Sequence, residues 1–223
     1  MKISAHFLVG FFVFSAGYWL LATDYSAHAA SVQTIVKKLQ ARYEATTGFR
    51  ADFTQEVQSA TLGQKVEARG QVYFRKPGRM RWEFVEPEQL LVSDGKFLWL
   101  YQAADKQVIK IPFEQAFRSN APASFLLGMG RIDQDFTVTL TGETQDRYSL
   151  RLISKKDPES IGSLDLEVDV KSFDISQATI TDPLGNTTRL RFMNIDRKAP
   201  LGDSLFLFTI PPGIDVVDTT PPS

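Results

Sequence analysis

The sequence predicts a mainly β (α+β) protein built on one antiparallel sheet of ten or eleven strands, and three observations predict it. From Phe49 onward apolar residues recur at every second position, the period of a strand with one face buried. Turn signals punctuate these runs at Pro77-Gly78, Pro87, Asp94-Gly95 and Asp182-Pro183-Leu184-Gly185-Asn186. No helical pattern of ten residues separates one strand from the next, so there are no crossover helices of the kind parallel strands need.

The first thirty residues stand apart. Lys2 precedes an apolar run from Phe7 to Ala22, and Ala27-His28-Ala29 supplies a small-x-small pattern, which reads as a secretory signal peptide over residues 1–29. The rival reading is an uncleaved anchor, because the run approaches the length of a membrane span. Residues 30–223 then form a single domain, long enough for a core of its own. Ser31 to Tyr43 opens it, with Val32, Ile35, Val36, Leu39 and Tyr43 at helical spacing behind Ser31 as N-cap. This amphipathic helix either packs on a core or forms a mobile cover over a cavity.

Strands follow. Phe49, Ala51, Phe53 and Val57 alternate with polar residues, and Val66 to Phe74 continue the pattern after a turn near Gly63. In the stretch Phe74 to Gly95, Met80, Trp82 and Phe84 alternate with Arg79, Arg81 and Glu83, so one face is large and apolar and the other charged. A two-residue hairpin at Asp94-Gly95 would place Val92 beside Phe97 and Leu90 beside Trp99. Leu91, Leu98 and Leu100 share the opposite face, so this hairpin is covered on both sides. After a short strand, Gln107 to Ile111, the period breaks, and short helices are expected over Glu114 to Arg118 and Ser124 to Met129. Strands resume around Phe136, Tyr148, Leu164, Ser176 and Thr188, and Phe206 with Phe208 make a last one before a Pro-rich tail.

Missing residue types bound the chemistry. The chain has no Cys, and its two histidines, His6 and His28, lie in the signal segment. Thiol nucleophiles, imidazole bases, disulfides and His/Cys metal sites are therefore excluded from the mature domain, and no cofactor or metal is expected. A formal net charge of −1 with interspersed signs gives no footprint for nucleic acid. Catalysis would need carboxylate pairs such as Asp52 with Glu83 or Asp165 with Asp169, but these alternate with apolar residues as a solvated face requires.

In order along the chain stand FRADFTQ, a G-x-V-x-F strand ending in a basic residue before Pro77, MRW at Met80 to Trp82, LLVSDGKFLWLY, NAPASFLLG, DPLGN and FTIPPG. Together these resemble LolA, the family of periplasmic outer-membrane lipoprotein carriers, over nearly the whole mature chain. The resemblance implies an incomplete, half-open antiparallel β-barrel closed by a lid of short helices. It implies a periplasmic monomer that takes acylated lipoproteins from an inner-membrane lipoprotein-releasing transporter to an outer-membrane receptor. An Arg before the strand-ending Pro holds the lid shut in that family. Here the position is Lys76, on the inner-face parity of Val72 and Phe74, whereas Arg75 points outward.

The acyl-chain wall is then expected at Phe49, Phe53, Val72, Phe74, Met80, Trp82, Phe84 and Trp99, with Phe125 and Leu126 in the lid. The same side chains could instead fill a solid core. Seventeen Phe and three Trp on one sheet without a second sheet leave an apolar face in need of a partner. A non-enzymatic periplasmic sensor or scaffold that binds lipid through the same half-barrel is the alternative function.

Overall fold

The computed structural model of the chain describes residues 31–117, 131–156 and 162–220. The signal-peptide reading, the helix expected over Ser124 to Met129, and Phe125 and Leu126 lie outside the described residues. Helix α1 (Val32–Ala45) begins where the Ser31 hydroxyl accepts a hydrogen bond from the Thr34 N–H. It stops at Thr46, whose N–H returns to the Arg42 and Tyr43 carbonyls. Six strands follow: β1 (Gly48–Gln58), β2 (Lys65–Arg75), β3 (Arg79–Glu86), β4 (Gln89–Asp94), β5 (Phe97–Gln102) and β6 (Gln107–Pro112). Two short helices, α2 (Phe113–Phe117) and α3 (Ile132–Asp135), precede β7 (Phe136–Glu143), β8 (Arg147–Ser154), β9 (Ser163–Asp169), β10 (Ile175–Thr181) and β11 (Thr187–Asp196). A 3-10 turn (Asp203–Phe206) and β12 (Asp215–Asp218) end the described chain.

All twelve strands belong to one sheet, in the order β12-β6-β5-β4-β3-β2-β1-β11-β10-β9-β8-β7. Among the described residues β7 and β12 are its edges, so the sheet is open and does not close on itself. On the inner face of β7 to β10, Leu150, Leu152, Leu164 and Leu166 are fully buried, and α1 lays Ile35, Val36 and Leu39 against them. Gln40 is buried with this stripe at no polar cost, because its Oε1 accepts from the Ile132 N–H at 3.0 Å and its Nε2 donates to Glu44 at 2.8 Å.

The outer face of β2 to β5 is covered by the C-terminal segment. Arg75 donates to the Leu201 carbonyl and pairs with Asp203, Arg79 reaches the same carboxylate at 2.6 Å, and Phe206 is buried with the Arg75 guanidinium over its ring. Phe208 lies beside Trp99 and Tyr101, with ring centroids 6.3 and 6.1 Å apart. The hairpin around Gly95 is thus covered on both sides, as its two apolar faces require.

Four expectations are corrected. The sheet is not antiparallel throughout, since β12 runs parallel to β6, where Lys110 pairs with Asp218 at 2.9 Å. The chain reaches β6 across the outer face and arrives in the same direction. Phe206 and Phe208 form no strand, because they rest on a sheet face rather than beside an edge that could pair with them. The first short helix begins at Phe113 instead of Glu114. Finally, Val92 pairs with Trp99 and Leu90 with Tyr101, a register two residues from that of a two-residue hairpin. The Asp94 carboxylate accepts from both the Lys96 and Phe97 N–H groups, at 2.7 and 2.9 Å, and this wider turn around Gly95 (φ 92°) replaces the tight one. A shift of two preserves which residues share a face.

Gly70 marks the closest backbone approach at the centre of the inner face. A Cβ there would stand 1.8 Å from the Glu83 carbonyl oxygen and 3.1 Å from the Phe53 ring, at the bulge where β2 meets β3. Gly70→Ala is expected to destabilise the fold by ~1–3 kcal/mol, the cost typical of overpacking. Urea unfolding, read at the midpoint with the slope held constant, checks it.

Candidate functional site

Strand register assembles one apolar surface on the inner face of β11, β1, β2 and β3. Phe49 pairs with Phe74 and Phe74 with Met80; Ala51 pairs with Val72 and Val72 with Trp82; Gly70 lies between Phe53 and Phe84. On the other side Phe53 pairs with Phe192. The Phe53 ring meets Trp82 and Phe84 edge-on, with centroids 4.8 and 5.1 Å apart, a preferred geometry for aromatic pairs. Phe53, Val72, Phe74 and Met80 are buried, whereas Phe49, Trp82 and Phe84 are only half-buried. Seven of the expected wall residues therefore share one surface. Trp99 does not: its partner Val92 alternates with Leu91, which pairs with Trp82, so Trp99 stands on the outer face under Phe208. Both faces of that hairpin are apolar, and parity alone could not say which was inside.

The last turn of α1 roofs one end of this surface. Beneath it lies an apolar cavity of about 90 Å³, floored by Phe49, Phe74, Phe173, Ile175, Phe192 and Ile195. A cavity of ~300–1,000 Å³ is usual for a bound small molecule. This one offers a fraction of that.

Two polar clamps hold the roof. Lys76 Nζ donates to the Tyr43 carbonyl at 2.5 Å and lies 4.5 Å from the Tyr43 ring centroid. A cation at a helix C-terminus, on one of its last carbonyls, is favoured by the helix dipole as well as by the hydrogen bond. Burial beneath the helix pushes the ammonium below its ordinary pKa, with the charge of Glu44 opposing that shift. Lys76 therefore reaches the first helix, as its inner-face parity predicts, while Arg75 beside it serves the outer face.

The second clamp was not legible in the sequence. Asp174 Oδ1 accepts from Arg42 Nε of α1 at 2.8 Å and also from Arg197, which follows β11. Burial raises the Asp174 carboxyl, but hydrogen bonds from Arg42 and Arg197 outweigh it and hold the group below its usual value of 3.8. The preceding residue, Phe173, adopts φ 57°, a left-handed conformation rare for an aromatic residue, with its ring between Tyr148 and the Lys38 ammonium. Arg42 stands 132 residues before Asp174, and only the fold brings it to the turn that carries Phe173 and Asp174 and to Arg197 beyond β11.

The carboxylates weighed for catalysis are each held by partners of their own. Asp52 accepts from Gln71 and Asn194, Glu83 from Arg81, Asp165 from Arg151, and Asp169 from the N–H groups of its own turn. Among the described residues no cluster of acids and imidazoles could hold a metal, and no helix is long and apolar enough to cross a membrane.

Residues 44–209 match the family described as "Outer membrane lipoprotein carrier protein LolA". The chain belongs to this family. An outer-membrane lipoprotein carrier protein of Cupriavidus taiwanensis is 32% identical over 206 residues, spanning 89% of this chain and 92% of the relative. One from Chromobacterium violaceum is 30% identical over 190 residues, 85% and 90% of the two chains. Among solved structures, an uncharacterized conserved protein of Thermus thermophilus superposes with a TM-score of 0.53 at 17% identity, over 84% of this chain and 99% of that one, and so shares its fold.

Lys76→Met should free the last turn of α1 and speed amide exchange there by about tenfold, the worth of one charge-assisted hydrogen bond, whereas Lys76→Arg keeps the protection. The Asp174 clamp has a definite pH dependence. A carboxyl whose folded-state pKa is depressed contributes stability in full above its ordinary value and loses it as pH falls through the depressed one. Wild type should therefore exceed Asp174→Asn in stability at neutral pH, and the difference should close below pH 3.8. Thermal unfolding of both proteins across an acid series checks this.

Proposed function

We propose that this chain is a lipoprotein carrier: it takes up the acyl chains of a lipoprotein against the inner aromatic surface and carries them between membranes without catalysis. The observation that carries this reading is an aromatic face on an open sheet, roofed at one end by a helix that two polar clamps hold, with no second sheet among the described residues to fill it. The names of the relatives point the same way. Residues 1–29 direct export and are removed, and residues 30–223 work in the periplasm as a monomer. Cargo comes from an inner-membrane lipoprotein-releasing transporter and passes to an outer-membrane receptor.

Energetics restrict how such a carrier works. The acyl chains of a lipoprotein hold about 40 methylenes, and burying all of them at ~0.8 kcal/mol each would give roughly 30 kcal/mol. Reversible binding saturates near ~18–21 kcal/mol. Cargo burial is therefore partial, and it is offset by opening the roof and breaking the Lys76 and Asp174 clamps. A cavity of about 90 Å³ admits an acyl chain only if α1 lifts.

Native mass spectrometry of the protein purified from a periplasm, followed by solvent extraction, tests the reading. Co-purified acylated lipoprotein, lost in Trp82→Glu, is the expected result. An empty protein that also removes no lipoprotein from membrane vesicles would overturn it.

A further inference from the structure

The cavity beneath the last turn of α1 has a floor of hydrocarbon and a rim of cations. Arg42, Lys76 and Arg197 line it, with Asp174 the only carboxylate among its lining residues. Both guanidiniums converge on the same oxygen, Asp174 Oδ1, and so share one negative charge. Arg197 Nε is the buried side-chain atom without a hydrogen-bond partner among the described residues. A buried donor left unpaired carries a desolvation cost, and each such group asks for an acceptor. The nearest further acid on α1, Glu44, accepts from Gln40 and lies 3.8 Å from Arg131, so it does not supply one.

An uncharged acyl chain would use the floor and bring no charge to this rim. A ligand with an anionic head would use both, because a planar guanidinium takes two oxygens of a carboxylate or phosphate at once. We propose that this cavity, widened as the last turn of α1 lifts, binds a single-chain anionic amphiphile, its hydrocarbon against Phe49, Phe74 and Phe192 and its head oxygens on Arg197 and Arg42 in place of Asp174. The inference rests on the acyl-binding reading of the same surface and adds the head group to it.

Binding of laurate, dodecyl phosphate and uncharged monolaurin to the purified protein tests the proposal by calorimetry. Expected is an affinity for an anionic ligand about tenfold above that for monolaurin at low salt, shrinking as salt is raised. Arg197→Gln should bring the affinity for the anionic ligands down to that for monolaurin measured on the same variant. Preference for the phosphate over laurate would assign the natural head group to single-chain phosphates, and the reverse order to fatty acids. Arg197→Lys, which keeps the charge without the planar fork, serves where Arg197→Gln unfolds, and should weaken the preference. Equal binding of all three ligands, or a preference untouched in both variants, would overturn the anionic site and leave the acyl cavity standing. Failure of all three to bind would overturn both readings.

Discussion

An apolar sheet face that no second sheet covers among the described residues is the constraint on which the rest of this structure depends. Twelve strands in one sheet present a surface far wider than a single helix can hide. α1 is spent on the leucines of β8 and β9, and only its last turn extends over the aromatic half. Trp82 and Phe84 remain half-buried. A surface of this kind must either bind something or be a liability, and its edge-on aromatic packing gives it shape without filling it.

What holds the roof down differs in kind from what holds the sheet together. Burying Ile35 and Leu39 is worth ~1.5–3 kcal/mol for each side chain and is indifferent to direction. The two clamps are directional and discrete. Lys76 grips a carbonyl at the helix C-terminus, and Asp174 grips Arg42 one residue earlier. These two polar contacts sit at the C-terminal end of the helix, whereas its apolar stripe is buried along its length.

The sheet also separates two tasks by parity. Lys76 faces inward to α1, and its neighbour Arg75 faces outward to Leu201, Asp203 and Phe206. Consecutive residues of one strand end thus secure the inner helix and the outer C-terminal segment. The same division explains Trp99, a large aromatic in an apolar strand that belongs to the outer packing rather than to the candidate cavity.

Alternation in β1 to β3 makes the inner wall legible in the amino-acid order itself, because period two assigns every residue of a half-buried strand to a face, and Lys76 inherits the face of Val72 and Phe74. The Ser31 cap and the helical spacing of Ile35 and Leu39 define α1 for the same local reason. Where both faces are apolar, as in β4 and β5, periodicity has no sign, and pairing with β3 together with the packing of Phe208 decides it. The direction of β12, the register around Gly95 and the meeting of Arg42, Asp174 and Arg197 are settled by contacts across long stretches of chain. The sequence by itself determined a mainly β chain with one greasy face and one covering helix, since these follow from short-range period and capping. Only the tertiary structure decided how that helix is fastened and what charge surrounds the cavity, because those depend on residues that meet through strand order.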